Sequence, residues 1–203
     1  MSQSDKFMDG EGDAWLRRNR NKLPRENDPV IYAIGSSGIK PKNILEIGCS
    51  NGWRLNKMKK LWGCNVCGIE PSMEAVEEAN QSGLEVTQGT ADNLDITFLF
   101  TTFDVIICGF FLYVTDPEDL FKIVSETDRL LEDRGYLVIH DFEPIAPYRT
   151  PYKHREGLWS YHMDHPALWL AHPWYSTVSS RTEANGTTVT ILRKDVQAAF
   201  PEL

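Results

Sequence analysis

Three acids and one glycine turn carry the chemistry that residue spacing allows in this chain of 203 residues. The run Asn43-Ile44-Leu45-Glu46-Ile47-Gly48-Cys49-Ser50-Asn51-Gly52 is mainly apolar up to Ile47 and then breaks into a glycine-containing turn ahead of a helical segment. In a parallel α/β sheet the ligand lies beyond the carboxyl ends of the strands, and glycine there lets backbone N–H groups approach it closely. A second strand-like run, residues 64–69, delivers Glu70, Pro71 and Ser72; an acid at that strand end suits the two hydroxyls of a ribose. A third, residues 84–89, stops at Thr90-Ala91-Asp92-Asn93, where a carboxylate can accept from an adenine amino group. Three neighbouring strand ends then trace one adenosyl ligand. A nicotinamide dinucleotide fits less well: its pyrophosphate calls for Gly-x-Gly-x-x-Gly, whereas Gly48 and Gly52 are separated by three residues and position 50 is serine.

With these residues in place, the chain resembles the class I S-adenosylmethionine-dependent methyltransferases. The resemblance rests on Glu46-Ile47-Gly48-Cys49-Ser50-Asn51-Gly52, on Gly68-Ile69-Glu70-Pro71-Ser72, on Ala91-Asp92 and on Phe103-Asp104-Val105-Ile106-Ile107, and covers residues 40–142. It implies S-adenosylmethionine as cofactor and S-adenosylhomocysteine as product. It also implies that the glycine loop contacts the methionine part and ribose, the acid after the second strand the ribose, and the acid after the third the adenine. By motif match those roles fall to Gly48 and Gly52, Glu70, and Asp92, with Glu46, Cys49, Pro71, Ser72, Ala91 and Asn93 as flanking cofactor contacts. The chain departs from the family's usual pattern at Ser50, where glycine is common, which makes the middle of the loop less open.

Methyl transfer from a sulfonium is an in-line displacement, so the protein must align the acceptor and keep water out. The methyl is expected near the end of the fourth strand, at Gly109-Phe110-Phe111-Leu112-Tyr113. Gly109 permits close backbone approach there, Phe110 and Tyr113 wall the pocket, and Phe111 is read as core. An alcohol or amine acceptor also calls for a base, and the candidates are His140, Asp141, His154, His162 and His165. His140 and Asp141 share a strand end, where side chains alternate, so only one faces the cofactor. His154 lies beside Tyr152, Lys153 and Arg155, which offer an anionic acceptor something to bind. Tyr113, Tyr152, Arg155 and Tyr161 are the candidate acceptor contacts; the acceptor itself is read as a small molecule, methylated at oxygen, such as a sugar or an organic acid. At the N-terminus, Trp15 and Arg18 are candidates for closing over the cofactor, as the resemblance implies for this segment, with Arg18 pairing with the methionine carboxylate.

The elements that must position these groups follow from periodicity. Helices are expected over 13–22 and 30–34, the first interrupted at Leu23-Pro24, then near 53–62, 72–82 and 117–133, with strands near 43–47, 66–70, 84–88, 103–108 and 136–142. That alternation argues a parallel sheet with helices on both faces. Residues 143–173 are crowded with His, Tyr, Trp and Pro and read as a long functional cover rather than a regular element. Asn185-Gly186 signals a two-residue hairpin joining 174–183 to 187–192. The family resemblance implies a Rossmann-like, doubly wound α/β fold: a seven-stranded, mostly parallel sheet of order 3-2-1-4-5-7-6, closed by a C-terminal antiparallel hairpin. One domain is expected, divided into a helical lid (1–38), a cofactor-binding core (39–142), a substrate-covering segment (143–173) and the hairpin (174–203).

Composition limits the partners. A hydrophobic content of 41% with 25% charged residues is ordinary for a globular chain, and a net charge of −8 offers no basic face for nucleic acid. The densest basic runs, residues 15–22 and 57–60, include at least one solvated helix face. No apolar run approaches the roughly 20 residues that cross a bilayer, and Met1-Ser2-Gln3-Ser4-Asp5-Lys6 lacks a hydrophobic signal core. A cytoplasmic monomer or homodimer is expected. Cys64-x-x-Cys67 supplies too few ligands for zinc and runs into a strand, so no metal is expected. A macromolecular acceptor, disfavoured by the acidic balance, and a non-catalytic cofactor binder are the competing readings.

Overall fold

Local capping rules explain where the first elements begin. In the computed structural model, which describes residues 1–23, 26–94, 98 and 101–201, the chain opens with α1 (Gln3–Lys6), a π-helical turn over Phe7–Glu11 kinked at Gly10, and α2 (Gly12–Asn19). Pro24, expected to interrupt the first helix, lies outside the described residues. Next comes α3 (Pro29–Ser36), where Asp28 caps by accepting from Ile31 N and Pro29 occupies the first turn. The core then alternates: β1 (Asn43–Ile47), α4 (Trp53–Trp62), β2 (Asn65–Glu70), α5 (Met73–Gln81), β3 (Glu85–Gln88), β4 (Phe103–Gly109), α6 (Leu120–Leu130) and β5 (Leu131–Phe142). Two short strands, β6 (Tyr148–Pro151) and β7 (Trp159–His162), and α7 (Pro166–Leu170) precede the closing pair β8 (Tyr175–Thr182) and β9 (Thr187–Lys194), followed by α8 (Val196–Ala199).

The main sheet has seven strands in the order β3-β2-β1-β4-β5-β9-β8. The first five are parallel, and β9 runs antiparallel to both β5 and β8. With the two small strands set aside, this is the expected order. Alternation along each strand sends side chains to two separate cores. Leu45, Ile47, Ile106, Cys108, Leu137 and Ile139 join α6 and Trp169 on one face. Ile44, Val105, Ile107, Val138 and Ile191 join α3, α4 and α5 on the other.

Three elements differ from the sequence expectation. The helix expected to reach residue 133 ends at Leu130, and β5 starts at Leu131. Leu131 pairs with Phe103 across a bulge, while Arg134 takes a left-handed backbone at φ 65°; Gly135 has no room for a side chain against Asp104 O and Glu132 O. Residues 143–173 are not irregular throughout: β6 and β7 pair antiparallel in a second sheet. The hairpin turn is also longer than two residues. Glu183 N donates to Thr187 O at 2.8 Å and Gly186 N to Glu183 O at 2.9 Å, so Ala184, Asn185 and Gly186 form the loop, with Gly186 left-handed.

Candidate functional site

A cavity opens where β1, β2 and β4 end, at the crevice that a doubly wound sheet offers a ligand. Its walls include Gly48, Cys49 and Ser50 from the first turn, Glu70 and Pro71 from the second, Ala91 and Asp92 from the third, and Gly109 and Phe110 from the fourth. Gly48 N and Cys49 N both donate to Ile69 O, which pins the loop to the neighbouring strand. Gly48 is left-handed, and a Cβ there would lie 3.2 Å from the Phe111 ring. Ser50 also takes a left-handed backbone, at φ 51°, a conformation that costs a non-glycine residue energy. This explains why glycine is the easier residue at that position. Phe110, at φ 66°, is strained in the same way, so two of the three non-glycine residues with positive φ among the described residues line this one cavity.

Glu70 is the organiser. Its Oε2 accepts from Ser50 N at 2.8 Å and its Oε1 from Ser72 N at 3.0 Å, so one carboxylate fixes the glycine turn against the next strand end. Burial pushes this carboxyl up to about 7. Each oxygen keeps lone-pair capacity for a further donor. Ser50 Oγ and the second oxygen of Glu46 are buried and have no hydrogen-bond partner among the described residues. Such atoms are costly unless a bound molecule satisfies them.

The N-terminal elements cover this cavity. Ser4, Phe7, Gly12 and Trp15 line it, and Ser4 Oγ donates to Asp92 Oδ1 at 2.9 Å. Asp13 accepts from Ser72 Oγ at 2.6 Å and from Glu74 N at 3.2 Å, while Arg17 pairs with Glu74 and Arg20 with Glu78. The basic run at 15–22 is therefore a clasp onto the acidic α5. Gly12 has no spare volume there: a Cβ would lie 2.9 Å from Ser72 N.

Arg54 was not legible as a site residue. It lines the cavity yet is buried, held by Glu46 and, at 3.1 Å, by Asp28. Burial drives the Glu46 carboxyl up to about 7 against the opposing pull of the guanidinium. Gly109 is glycine for this trio as much as for a ligand, because a Cβ would lie 3.0 Å from both Arg54 Nη1 and Glu46 Oε1. Trp53, also missed, lines the wall with the Arg54 guanidinium 5.0 Å from its ring centre. The only sequence signal for either was a position just after the glycine turn.

Several expected residues fall elsewhere. Gly52 caps α4 and turns to Leu84, whose Cδ1 would lie 2.4 Å from a Cβ, so it serves packing rather than the cavity wall. Ser72 caps α5, accepting from Ala75 N, and Asn93 does not line the cavity. Arg18 is engaged by Glu11 at 2.5 Å and Tyr152 Oη at 3.3 Å, and Tyr152 Oη bonds Glu11 at 3.1 Å. Arg155 donates to Lys6 O, Asp9 O and Asp9 Oδ2, so it ties down the N-terminal segment. His154 is exposed, its ring edge-on to Tyr152. Tyr161 pairs with Arg149 in the small sheet, away from the cavity. Asp141 is buried and accepts from Tyr113 N at 3.2 Å and Phe142 N at 2.7 Å, anchoring the turn after β4.

Tyr113 and His140 do line the cavity, and Phe111 reaches it while packing on the core. His140 lies tilted against Phe110, ring centres 5.2 Å apart, and its Nε2 lies 3.0 Å from Thr187 Oγ1. His162 is buried against Phe142 and stacks on Tyr148 at 4.5 Å. His165 is fully buried, and burial lowers it to about 4. Cys64 and Cys67 are free thiols. No helix among the described residues is long and apolar enough to cross a membrane.

Comparison with known proteins agrees with this geometry. A family model described as a methyltransferase domain matches residues 16–183. The chain aligns with a solved S-adenosylmethionine-dependent methyltransferase of Methanosarcina mazei at 19% identity and a TM-score of 0.64, covering 83% of this chain and 98% of that one. A 1,6-didemethyltoxoflavin N1-methyltransferase of Burkholderia thailandensis, solved with its substrate and S-adenosylhomocysteine, aligns at 15% identity and a TM-score of 0.73, covering 96% and 92%. An amino pentose methyltransferase of Micromonospora echinaspora, solved with S-adenosylmethionine, gives 16% and 0.68, covering 89% and 96%. In sequence, an uncharacterized protein of Haemophilus influenzae is 26% identical over 117 residues, 54% of this chain; the chain spans about half the length of that relative, 47%. The seven-stranded sheet, the cavity at its strand ends and the family match together place the chain in the class I S-adenosylmethionine-dependent methyltransferase family.

Proposed function

We propose that the chain transfers a methyl group from S-adenosylmethionine to a small hydroxyl-bearing ring molecule, at oxygen. The observation that carries the cofactor half is Glu70, a buried carboxylate in the cavity wall whose Oε2 holds the glycine turn at Ser50 N and whose Oε1 holds Ser72 N, each with capacity left for a ribose hydroxyl. Gly48 and Ser50 would face the methionine part, and Asp92 the adenine. Arg54, flanked by the two carboxylates of Glu46 and Asp28, leaves an acidic surplus that suits a cationic ligand. Bound S-adenosylmethionine supplies a sulfonium-activated methyl open to in-line displacement.

The acceptor half rests on aromatic walls. Trp53, Phe110, Phe111 and Tyr113 line the cavity beside His140, and such faces suit a flat or puckered ring. An organic acid, the other expected acceptor, loses Arg155, one of the cations expected to bind it, because that guanidinium is engaged by Lys6 and Asp9. The N-terminal cover excludes water, and His140 stands ready to take a proton.

Calorimetric titration with S-adenosylhomocysteine tests the cofactor reading. The wild-type protein should bind saturably, and Glu70→Ala should weaken binding by roughly 30-fold, the effect of losing about 2 kcal/mol of hydrogen bonding to a charged group. Binding that is unchanged in the variant sinks the assignment of Glu70; no binding by folded wild-type protein sinks the cofactor. Mass spectrometry with an isotopically labelled methyl donor and paired hydroxyl and amino ring compounds then separates oxygen from nitrogen acceptors.

A further inference from the structure

The hairpin turn that reads in sequence as punctuation connects to the cavity through three polar atoms. Asn185 Oδ1 lies 3.1 Å from Thr187 N and 2.9 Å from Thr187 Oγ1, and Thr187 Oγ1 lies 3.0 Å from His140 Nε2. A backbone N–H can only donate, so the Asn185 atom facing it is the oxygen, which fixes the amide's orientation. The same oxygen faces the Thr187 hydroxyl, and two oxygens at that distance repel unless a proton lies between them. The hydroxyl proton is therefore directed to Asn185, and the lone pairs of Thr187 Oγ1 are left to accept from His140.

We propose that Asn185 and Thr187 are positioning residues that hold His140 with its proton on Nε2, making Nδ1 the basic nitrogen of the ring. This rests on the reading that His140 serves the methyl acceptor. In the transfer, the bond from acceptor oxygen to methyl carbon forms as the sulfur–methyl bond breaks. The acceptor's hydroxyl proton passes to Nδ1, and the sulfonium becomes a neutral thioether. Register makes the arrangement possible. In the antiparallel pair His140 lies opposite Val189 and Phe142 opposite Thr187, so His140 and Thr187 are diagonal neighbours on one face. His140 is buried, which holds the ring in one orientation, whereas Asn185 sits in the exposed turn. Thr187 is itself buried, so a single buried hydroxyl links the exposed turn to the His140 ring. Fixing a histidine's tautomer through a second residue is a general device, and loss of such a partner typically costs 10–100-fold.

Nitrogen-15 NMR of the ring nitrogens decides the matter, using the full chain with and without S-adenosylhomocysteine. The wild-type His140 should show a protonated, pyrrole-type Nε2 and an unprotonated, pyridine-type Nδ1. Asn185→Ala, in an exposed turn that folding tolerates, frees the Thr187 hydroxyl to donate to Nε2 and should move the proton to Nδ1. Thr187→Ser should keep the wild-type pattern; Thr188→Val, which removes the neighbouring hydroxyl on the opposite face, should also keep it. With an acceptor that turns over, Asn185→Ala should lower kcat about tenfold with the KM for the cofactor unchanged. A wild-type ring protonated on Nδ1, or a pattern unmoved by Asn185→Ala, overturns the proposal. Failure of S-adenosylhomocysteine to bind would instead overturn the cofactor reading and leave the ring pattern intact.

Discussion

At the scale of single residues, Glu70 has the widest consequences. Its folded pKa of about 7 stands above the ordinary carboxylate value because burial disfavours the charge. Between about 4.5 and 7 the folded chain holds a proton that the unfolded chain has released, so this group's contribution to stability falls as pH rises through that window. Asp141, also pushed up to about 7 by burial, acts in the same direction from about 3.8 upward. In the proposed binding mode ribose hydroxyls donate to the ionised form, so S-adenosylhomocysteine should bind about tenfold more tightly at pH 8 than at pH 6, with proton release on binding at the lower pH. Titration in two buffers of different ionisation enthalpy checks this, and Glu70→Gln should abolish both the pH dependence and the proton release. The glycine turn and the acids at 46, 70 and 92 were readable because their spacing follows strand ends. Arg54 was not, because its partner Asp28 lies far along the chain and a buried guanidinium has no local signature.

At the scale of elements, the cavity owes its cover to the N-terminal helices. The α2 helix is fastened to the cap of α5 by Asp13. Asp13→Ala should raise the dissociation constant of S-adenosylhomocysteine by about tenfold, from the loss of about 1.4 kcal/mol of hydrogen bonding, and should expose residues 1–22 to limited proteolysis. A separate segment, β6 to α7, lines no part of the cavity and buries His165 in its neutral form, with His162 adding like-charge repulsion. A histidine lowered to about 4 binds its proton in the unfolded chain first, so stability is lost as pH falls from about 6.5 towards 4. This trend opposes that of Glu70, so a local probe separates them. The hydrogen-exchange protection of residues 159–170, corrected for the intrinsic pH dependence of exchange, should fall on acidification, and His165→Leu should suppress that change. The two-strand sheet in this segment escaped the sequence because residues 148–151 are exposed and include Pro151, which blurs the alternating pattern.

For the whole molecule, ligand and fold are one equilibrium. S-adenosylhomocysteine at 100 times its dissociation constant should add about 2.7 kcal/mol to stability and raise the Tm by roughly 5–10 °C for a chain of this size. Differential scanning calorimetry across ligand concentrations checks the logarithmic dependence; a flat Tm would show that the ligand does not select the folded state.

What the sequence determined by itself is the alternation of strands and helices, and hence a parallel sheet whose strand ends offer the crevice where a ligand must lie. Those follow from periodicity, caps and turns, each set by residues close together in the chain. Tertiary structure alone decided which polar groups meet in that crevice. The pairing of Arg54 with Asp28 and Glu46, the engagement of Arg18 and Arg155, and the line from Asn185 through Thr187 to His140 each join residues from different elements. Burial raises the cost of leaving any of them unpaired, and that cost exists only once the chain has closed around them.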